Sequence, residues 1–172
     1  MTSQMVQRPH RCPCEEKNMT KIAALTPHVA VAPQLNSADF AVAAARGFRS
    51  VINNRPDTEK SVPVLSDHAA ELAADVGLAY RYIPCPGLDV TDEAIVDDVA
   101  DALAELPGPV LMYCKSGTRS ALLWAQAMAA RLGVKVVIET AERAGYDVSI
   151  IEDELEEQAA QVALALSDAE AA

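Results

Sequence analysis

The sequence predicts an α/β fold with a central, mostly parallel sheet of about four to five strands flanked by helices. Three observations predict it. Strand-like and helix-like segments alternate from about residue 28 onward, with Gly, Pro or capping residues between them. The run at 110–114 (VLMYC) is apolar without a break, as suits a central parallel strand covered on both faces. The helix expected after Arg119 is apolar nearly all round, which places it in the middle of the domain.

The elements follow in order. Residues 29–33 form a short strand, Asn36 or Ser37 caps a helix through Arg46, and Gly47 stops it. The next strand covers 50–54 (SVINN) and ends in the turn Arg55-Pro56-Asp57. Ser66 or Asp67 caps a helix to Val76, with Gly77 as its terminator, and 79–85 (AYRYIPC) returns to the sheet. The spacing of Ile95, Val99, Leu103 and Leu106 predicts a helix over 91–106 capped by Thr91, with the acidic side chains away from that stripe. Pro107-Gly108 breaks it before the 110–114 strand. Helices at about 134–144 and 148–166 complete the chain. Trp124 and Met128, one helical turn apart, read as core packing.

Length and charge narrow the function. The 172 residues suit one domain, divided into a disordered leader at 1–18, a catalytic domain at 19–150 and an acidic C-terminal helix and tail at 151–172. Met19 is an alternative start. A net charge of -11 argues against nucleic acid or an anionic membrane as the main partner, although a local basic cluster can still hold a small anion. No apolar run reaches the roughly 20 residues that span a bilayer. The basic residues Arg8, Arg11, Lys17 and Lys21 precede an apolar stretch broken by Pro27 and His28, so no secretory signal is expected. The four cysteines are unevenly spaced, which points to a reducing cytoplasm. Cys12-Pro13-Cys14 with His10 lacks a second ligand pair, and His28 and His68 have no partners by spacing; no metal or organic cofactor is expected.

The chemistry concentrates in Cys114-Lys115-Ser116-Gly117-Thr118-Arg119-Ser120. A cysteine between a buried strand and a helix N-terminus, with an arginine closing the loop, has the setting that favours a thiolate and cradles an anion. Backbone amides of Lys115, Ser116, Gly117 and Thr118 form the expected anion nest, Arg119 pairs with the substrate anion, and Ser120 hydrogen-bonds the sulfur. The plain alternative is a buried core thiol above an ordinary turn. In a parallel sheet, ligands sit at the carboxyl ends of strands. Arg55 and Asp57 follow one such end, where Arg55 adds positive charge and Asp57 orients it, or where both merely belong to a turn. Cys85 ends another; it is a small buried residue, with a resolving thiol for Cys114 as the alternative. Asp89 is the best-placed carboxylate for a general acid, against a solvated loop Asp near a helix start.

Two chemistries use a strand-Cys-loop-Arg-helix unit. Tyrosine and dual-specificity phosphatases carry Cys-X5-Arg, usually with His before the Cys, whereas rhodanese-type sulfurtransferases mostly carry Cys-X4-Arg. Four residues separate Cys114 from Arg119, and Tyr113 stands at the His position. More widely, VAPQLNSADF around Gln34, GFRSVINNRPD at 47–57, AYRYIP at 79–84, TDE at 91–93 and PGPVLMYCKSGTRSALLWA at 107–125 resemble the phosphatase-like domain of the beta-lactamase-hydrolase-like proteins, also described as sulfur transferases. The resemblance implies a dual-specificity-phosphatase-like fold with a rhodanese-length loop. It also implies a partnership with a metallo-β-lactamase-fold persulfide dioxygenase in sulfide detoxification.

The expected function is therefore sulfur transfer, with Cys114 carrying sulfane sulfur as a persulfide. The alternative is a phosphatase with a phosphocysteine on Cys114 and Asp89 as general acid. A third reading is a non-catalytic domain that keeps the anion nest.

Overall fold

A computed structural model describes residues 21–87 and 90–170 and arranges these described residues as five strands and six α-helices. The leader, with His10, Cys12 and Cys14, lies outside the described residues, as does Asp89. The strands are β1 (Ala23–Ala24), β2 (Val29–Ala32), β3 (Ser50–Asn53), β4 (Ala79–Tyr82) and β5 (Val110–Tyr113). The helices are α1 (Ser37–Ala45), α2 (Ser66–Asp75), α3 (Glu93–Glu105), α4 (Thr118–Leu132), α5 (Val134–Ala144) and α6 (Glu152–Glu170), with one 3-10 turn at Ser149–Ile151.

The sheet order is β1-β2-β5-β3-β4, parallel except where β1 pairs antiparallel with β2. Residues Val110 to Tyr113 pair in register with Val29 to Ala32 on one side and with Ser50 to Asn53 on the other. The apolar run thus becomes the middle strand, because only a strand flanked on both edges and covered on both faces can bury every side chain.

Side-chain alternation divides the core. Val31, Ile52, Val110 and Met112 face α3, α4 and α5, while Ala32, Val51, Leu111 and Tyr113 face α1 and α2. Helix α4 is the centre of the first layer: it contacts α3, α5 and α6, and Leu122, Leu123, Trp124 and Ala125 are all buried. The acidic C-terminal helix does not stand apart, since Ile151 and Leu155 are buried in the same core as Trp124.

Several local expectations shift. The two-residue strand β1 was not expected; it folds back through a turn in which Thr26 Oγ1 accepts the amides of His28 and Val29. Asn36, not Ser37, caps α1, within a capping box closed by Asp39. Helix α2 is capped by neither Ser66 nor Asp67. The Asp57 carboxylate accepts the Ser66 amide at 2.9 Å and its hydroxyl at 2.5 Å, so a residue nine positions upstream caps the helix. At α3 the cap is Asp92 rather than Thr91, its Oδ1 accepting the amide of Ala94 at 3.0 Å. The buried stripe of α3 runs through Val96, Val99 and Ala102, with Ile95, Leu103 and Leu106 half-buried against the same core.

Candidate active site

Because β2, β5, β3 and β4 are parallel, their carboxyl ends share one edge of the sheet, and the segments after Ala32, Tyr113, Asn53 and Tyr82 converge there. Cys114 follows β5 directly and is fully buried. By strand alternation it falls in phase with Val110 and Met112, on the α4 face. Gly117, the N-cap of α4, adopts a left-handed φ of 92°, and its amide donates to Cys114 Sγ at 3.1 Å. The first-turn amides of α4 have no intrahelical acceptors, so a partial positive charge faces the sulfur. Within the loop, Ser116 Oγ donates to Thr118 Oγ1 at 3.1 Å, and the Lys115 carbonyl accepts the Gln34 amide at 3.2 Å. The Lys115 side chain is exposed.

Helix α4 starts at Thr118 rather than after Arg119 as expected, which puts Arg119 in its first turn with only 6% of its surface exposed. Arg119 Nη1 donates to the Cys85 carbonyl at 2.7 Å, and Nη2 pairs with Glu59 Oε1 at 2.6 Å. The other oxygen of Glu59 pairs with Arg55 Nε at 3.0 Å. Arg55 is held further by Gln34 Oε1 at 2.9 Å and by the Lys60 carbonyl at 3.1 Å. Two guanidinium groups around one carboxylate leave a local excess of positive charge in a strongly acidic chain. Asp57 does not orient Arg55: its carboxylate caps α2, and Glu59 takes the arginine instead.

Ser120 differs from expectation as well. Its hydroxyl donates to Asn54 Oδ1 at 2.8 Å, so its single proton goes to the scaffold rather than to the sulfur. Asn54 joins three elements at this point: its amide donates to the Tyr113 carbonyl at 2.8 Å, and its Nδ2 donates to the Ile83 carbonyl at 3.0 Å. Cys85 is a buried thiol whose amide donates to the Asn54 carbonyl at 3.1 Å and whose carbonyl accepts Arg119 Nη1.

Tyr113 points away from the loop into the other core layer, where its ring meets Phe40 edge-on at 6.5 Å. Burial pushes its phenol far up. The neighbouring Tyr80, whose hydroxyl accepts Asn53 Nδ2 at 3.0 Å, is pushed up to about 12, mainly by burial. On the loop side stands Tyr146, whose hydroxyl and ring pack so closely on Gly117 that a Cβ there would collide with them. Burial, and secondarily the proximity of Cys114, push the Tyr146 phenol up. Sequence reasoning did not single out Glu59 or Tyr146, which belong neither to the loop motif nor to a periodic pattern, and it placed Asn54 at a strand end without giving it a role. Among the described residues, no helix is long and apolar enough to cross a membrane.

Comparison with known proteins places this geometry. A beta-lactamase hydrolase-like protein of Xylella fastidiosa (strain 9a5c) is 34% identical over 82% of this chain and 33% of its own length. The chain spans about a quarter to a third of the length of the curated relatives it matches. A candidate phosphatase from Neisseria meningitidis superposes with a TM-score of 0.70 and 28% identity, over 80% of this chain and 97% of that one. The fold extends to a TpbA variant from P. aeruginosa solved with phosphotyrosine, with a TM-score of 0.59 and 16% identity over 87% of this chain and 98% of that one. Residues 21–131, from before β1 through nearly all of α4, match the family model described as the beta-lactamase hydrolase-like protein, phosphatase-like domain, and the chain belongs to that family.

Proposed function

We propose that this domain is a cysteine-dependent phosphatase. The observation that carries the reading is the Gly117 amide donating to Cys114 Sγ at 3.1 Å at the start of α4, within a scaffold of phosphatase-like fold. In the proposed reaction the Cys114 thiolate attacks the phosphorus of a phosphate monoester. An S–P bond forms as the P–O bond to the leaving group breaks, and Asp89 gives its proton to the departing oxygen. Water then cleaves the phosphocysteine, restoring the thiol and releasing inorganic phosphate. Arg119 and the loop amides stabilise the oxygens that gain charge. Phosphotyrosine peptides and small aryl phosphates are the first substrates to test.

The four-residue spacing from Cys114 to Arg119 favours a second reading, sulfur transfer. Cys114 would take sulfane sulfur from a donor and pass it to an acceptor thiol, which fits a metallo-β-lactamase-fold persulfide dioxygenase as partner. One experiment separates the two: phosphate release from p-nitrophenyl phosphate, alongside intact mass after thiosulfate or polysulfide. The phosphatase reading expects turnover that vanishes in Cys114→Ser and falls on the order of 100-fold or more in Asp89→Asn. No phosphate release, together with a thiol-labile sulfur adduct on Cys114, would overturn it in favour of sulfur transfer. If neither appears and phosphate still raises the melting temperature, a non-catalytic anion-binding domain remains.

A further inference from the structure

Tyr146 lies outside residues 21–131 that define the family match, yet its side chain reaches the middle of the Cys114 loop. Its position is set by a rigid device. Gly145, with a φ of 90°, ends α5 in the left-handed conformation, and the Tyr146 amide returns to the Ala141 carbonyl at 2.9 Å, as in a Schellman-type cap. Helix α5 in turn packs on α4, the helix that the loop opens. The ring therefore comes to Gly117 from a fixed direction, and Gly117 has no side chain to keep it away.

The hydroxyl is well suited to act as a donor. It makes no hydrogen bond with any of the described residues, although the ring is half-buried against the loop. Burial and the neighbouring Cys114 disfavour the phenolate, so the proton stays in place at neutral pH. Four residues between Cys114 and Arg119 also supply one backbone amide fewer than a five-residue loop would. Ser120, the expected donor from the helix side, is committed to Asn54.

We propose that Tyr146 Oη is a substrate-contacting hydrogen-bond donor of the Cys114 loop, giving an oxygen of a bound tetrahedral oxyanion the contact that the short loop lacks. For its substrate class this rests on the phosphatase reading. The contact itself requires only that the loop bind an oxyanion.

The test uses the full chain, with tungstate as the oxyanion probe, in wild type and Tyr146→Phe. Tungstate should bind the variant about tenfold more weakly, in line with the loss of one hydrogen bond to a charged group. The kcat/KM for p-nitrophenyl phosphate should fall by a similar factor, while alkylation of Cys114 by iodoacetamide is unchanged. Equal tungstate affinity in the two proteins, or no tungstate binding by wild type, would overturn the proposal. If Tyr146→Phe also lowers the melting temperature, Tyr146→Leu decides: a lost donor predicts that Phe and Leu bind tungstate alike, whereas a packing role predicts a further loss in Leu and overturns the proposal. Weaker tungstate binding by Tyr146→Phe with no phosphate release by wild type would sink the phosphatase reading and keep the Tyr146 contact. Phosphate release by wild type with tungstate affinity unmoved by the substitution would do the reverse.

Discussion

Glu59 grips Arg119 with one carboxylate oxygen, at 2.6 Å, and Arg55 with the other, at 3.0 Å. Both guanidinium groups are almost completely buried, whereas Glu59 retains 26% exposure of its side chain. Removing the carboxylate would leave two like charges facing each other beneath the Cys114 loop. Glu59→Gln should therefore lower stability by about 2 kcal/mol, read by urea denaturation. It should also raise KM for an aryl phosphate more than it lowers kcat, because Arg119 loses its anchor and the loop amides remain. Unchanged stability and kinetics would mean that the Cys85 carbonyl and Gln34 suffice to hold the two arginines.

Gly117 is constrained twice, by its left-handed φ of 92° and by the Tyr146 ring that lies where a Cβ would go. Gly117→Ala should destabilise the fold by more than about 1 kcal/mol and abolish turnover, since relieving either constraint displaces the amide that faces Cys114 Sγ. By contrast, Gly47 and Gly133, which also have positive φ, have open space around them. Gly133→Ala should cost stability alone, a difference that paired thermal melts and turnover measurements will show.

Asp57 caps α2 through Ser66, away from the arginine pair. Asp57→Ala should cost about 1 kcal/mol of stability, typical of a lost N-cap, and leave kcat/KM for an aryl phosphate unchanged. A large drop in activity at unchanged stability would return Asp57 to the role of orienting the site.

The buried phenols make stability depend on alkaline pH. Tyr80 is held at about 12 in the folded protein against an ordinary value of 10.0, and Tyr113 is raised further. Between those values the unfolded chain has lost protons that the folded chain retains, so stability is full below about pH 10 and falls as pH rises beyond it. Urea midpoints measured from pH 8 to 11 should decline at the upper end. The decline should flatten in Tyr80→Phe and Tyr113→Phe, and parallel profiles for all three proteins would contradict the assignment.

Much of the architecture was legible because it depends on periodicity and punctuation. The four longer strands, the helices between them and the central place of the 110–114 run follow from apolar spacing interrupted by Gly, Pro and capping residues. The site was legible only along the chain. Cys114, Gly117 and Arg119 are neighbours in sequence, and a strand end followed by a helix start brings them together in any parallel sheet. The partners that fix them were not legible: Glu59 from the loop after β3, Asn54 at the end of that strand and Tyr146 beyond α5 reach the site through the tertiary fold. The same limit misplaced the cap of α2. A carboxylate at Asp57 competes for the start of α2 only once β3 and β4 have set its position, and no local pattern records that. Ser120 was assigned to the sulfur for the same reason, since its true partner, Asn54, lies on another element.

The middle position of β5 bears on how long the reactive thiol survives. A strand laddered on both edges is among the last parts of a fold to open, and its amides exchange with solvent on the timescale of global unfolding. Cys114 follows that strand directly, so fraying at β1 or at the end of α6 does not release it. Substrates and thiol reagents therefore meet Cys114 through the loop of the folded domain, so their reaction with it reports on the loop and not on fraying of the sheet.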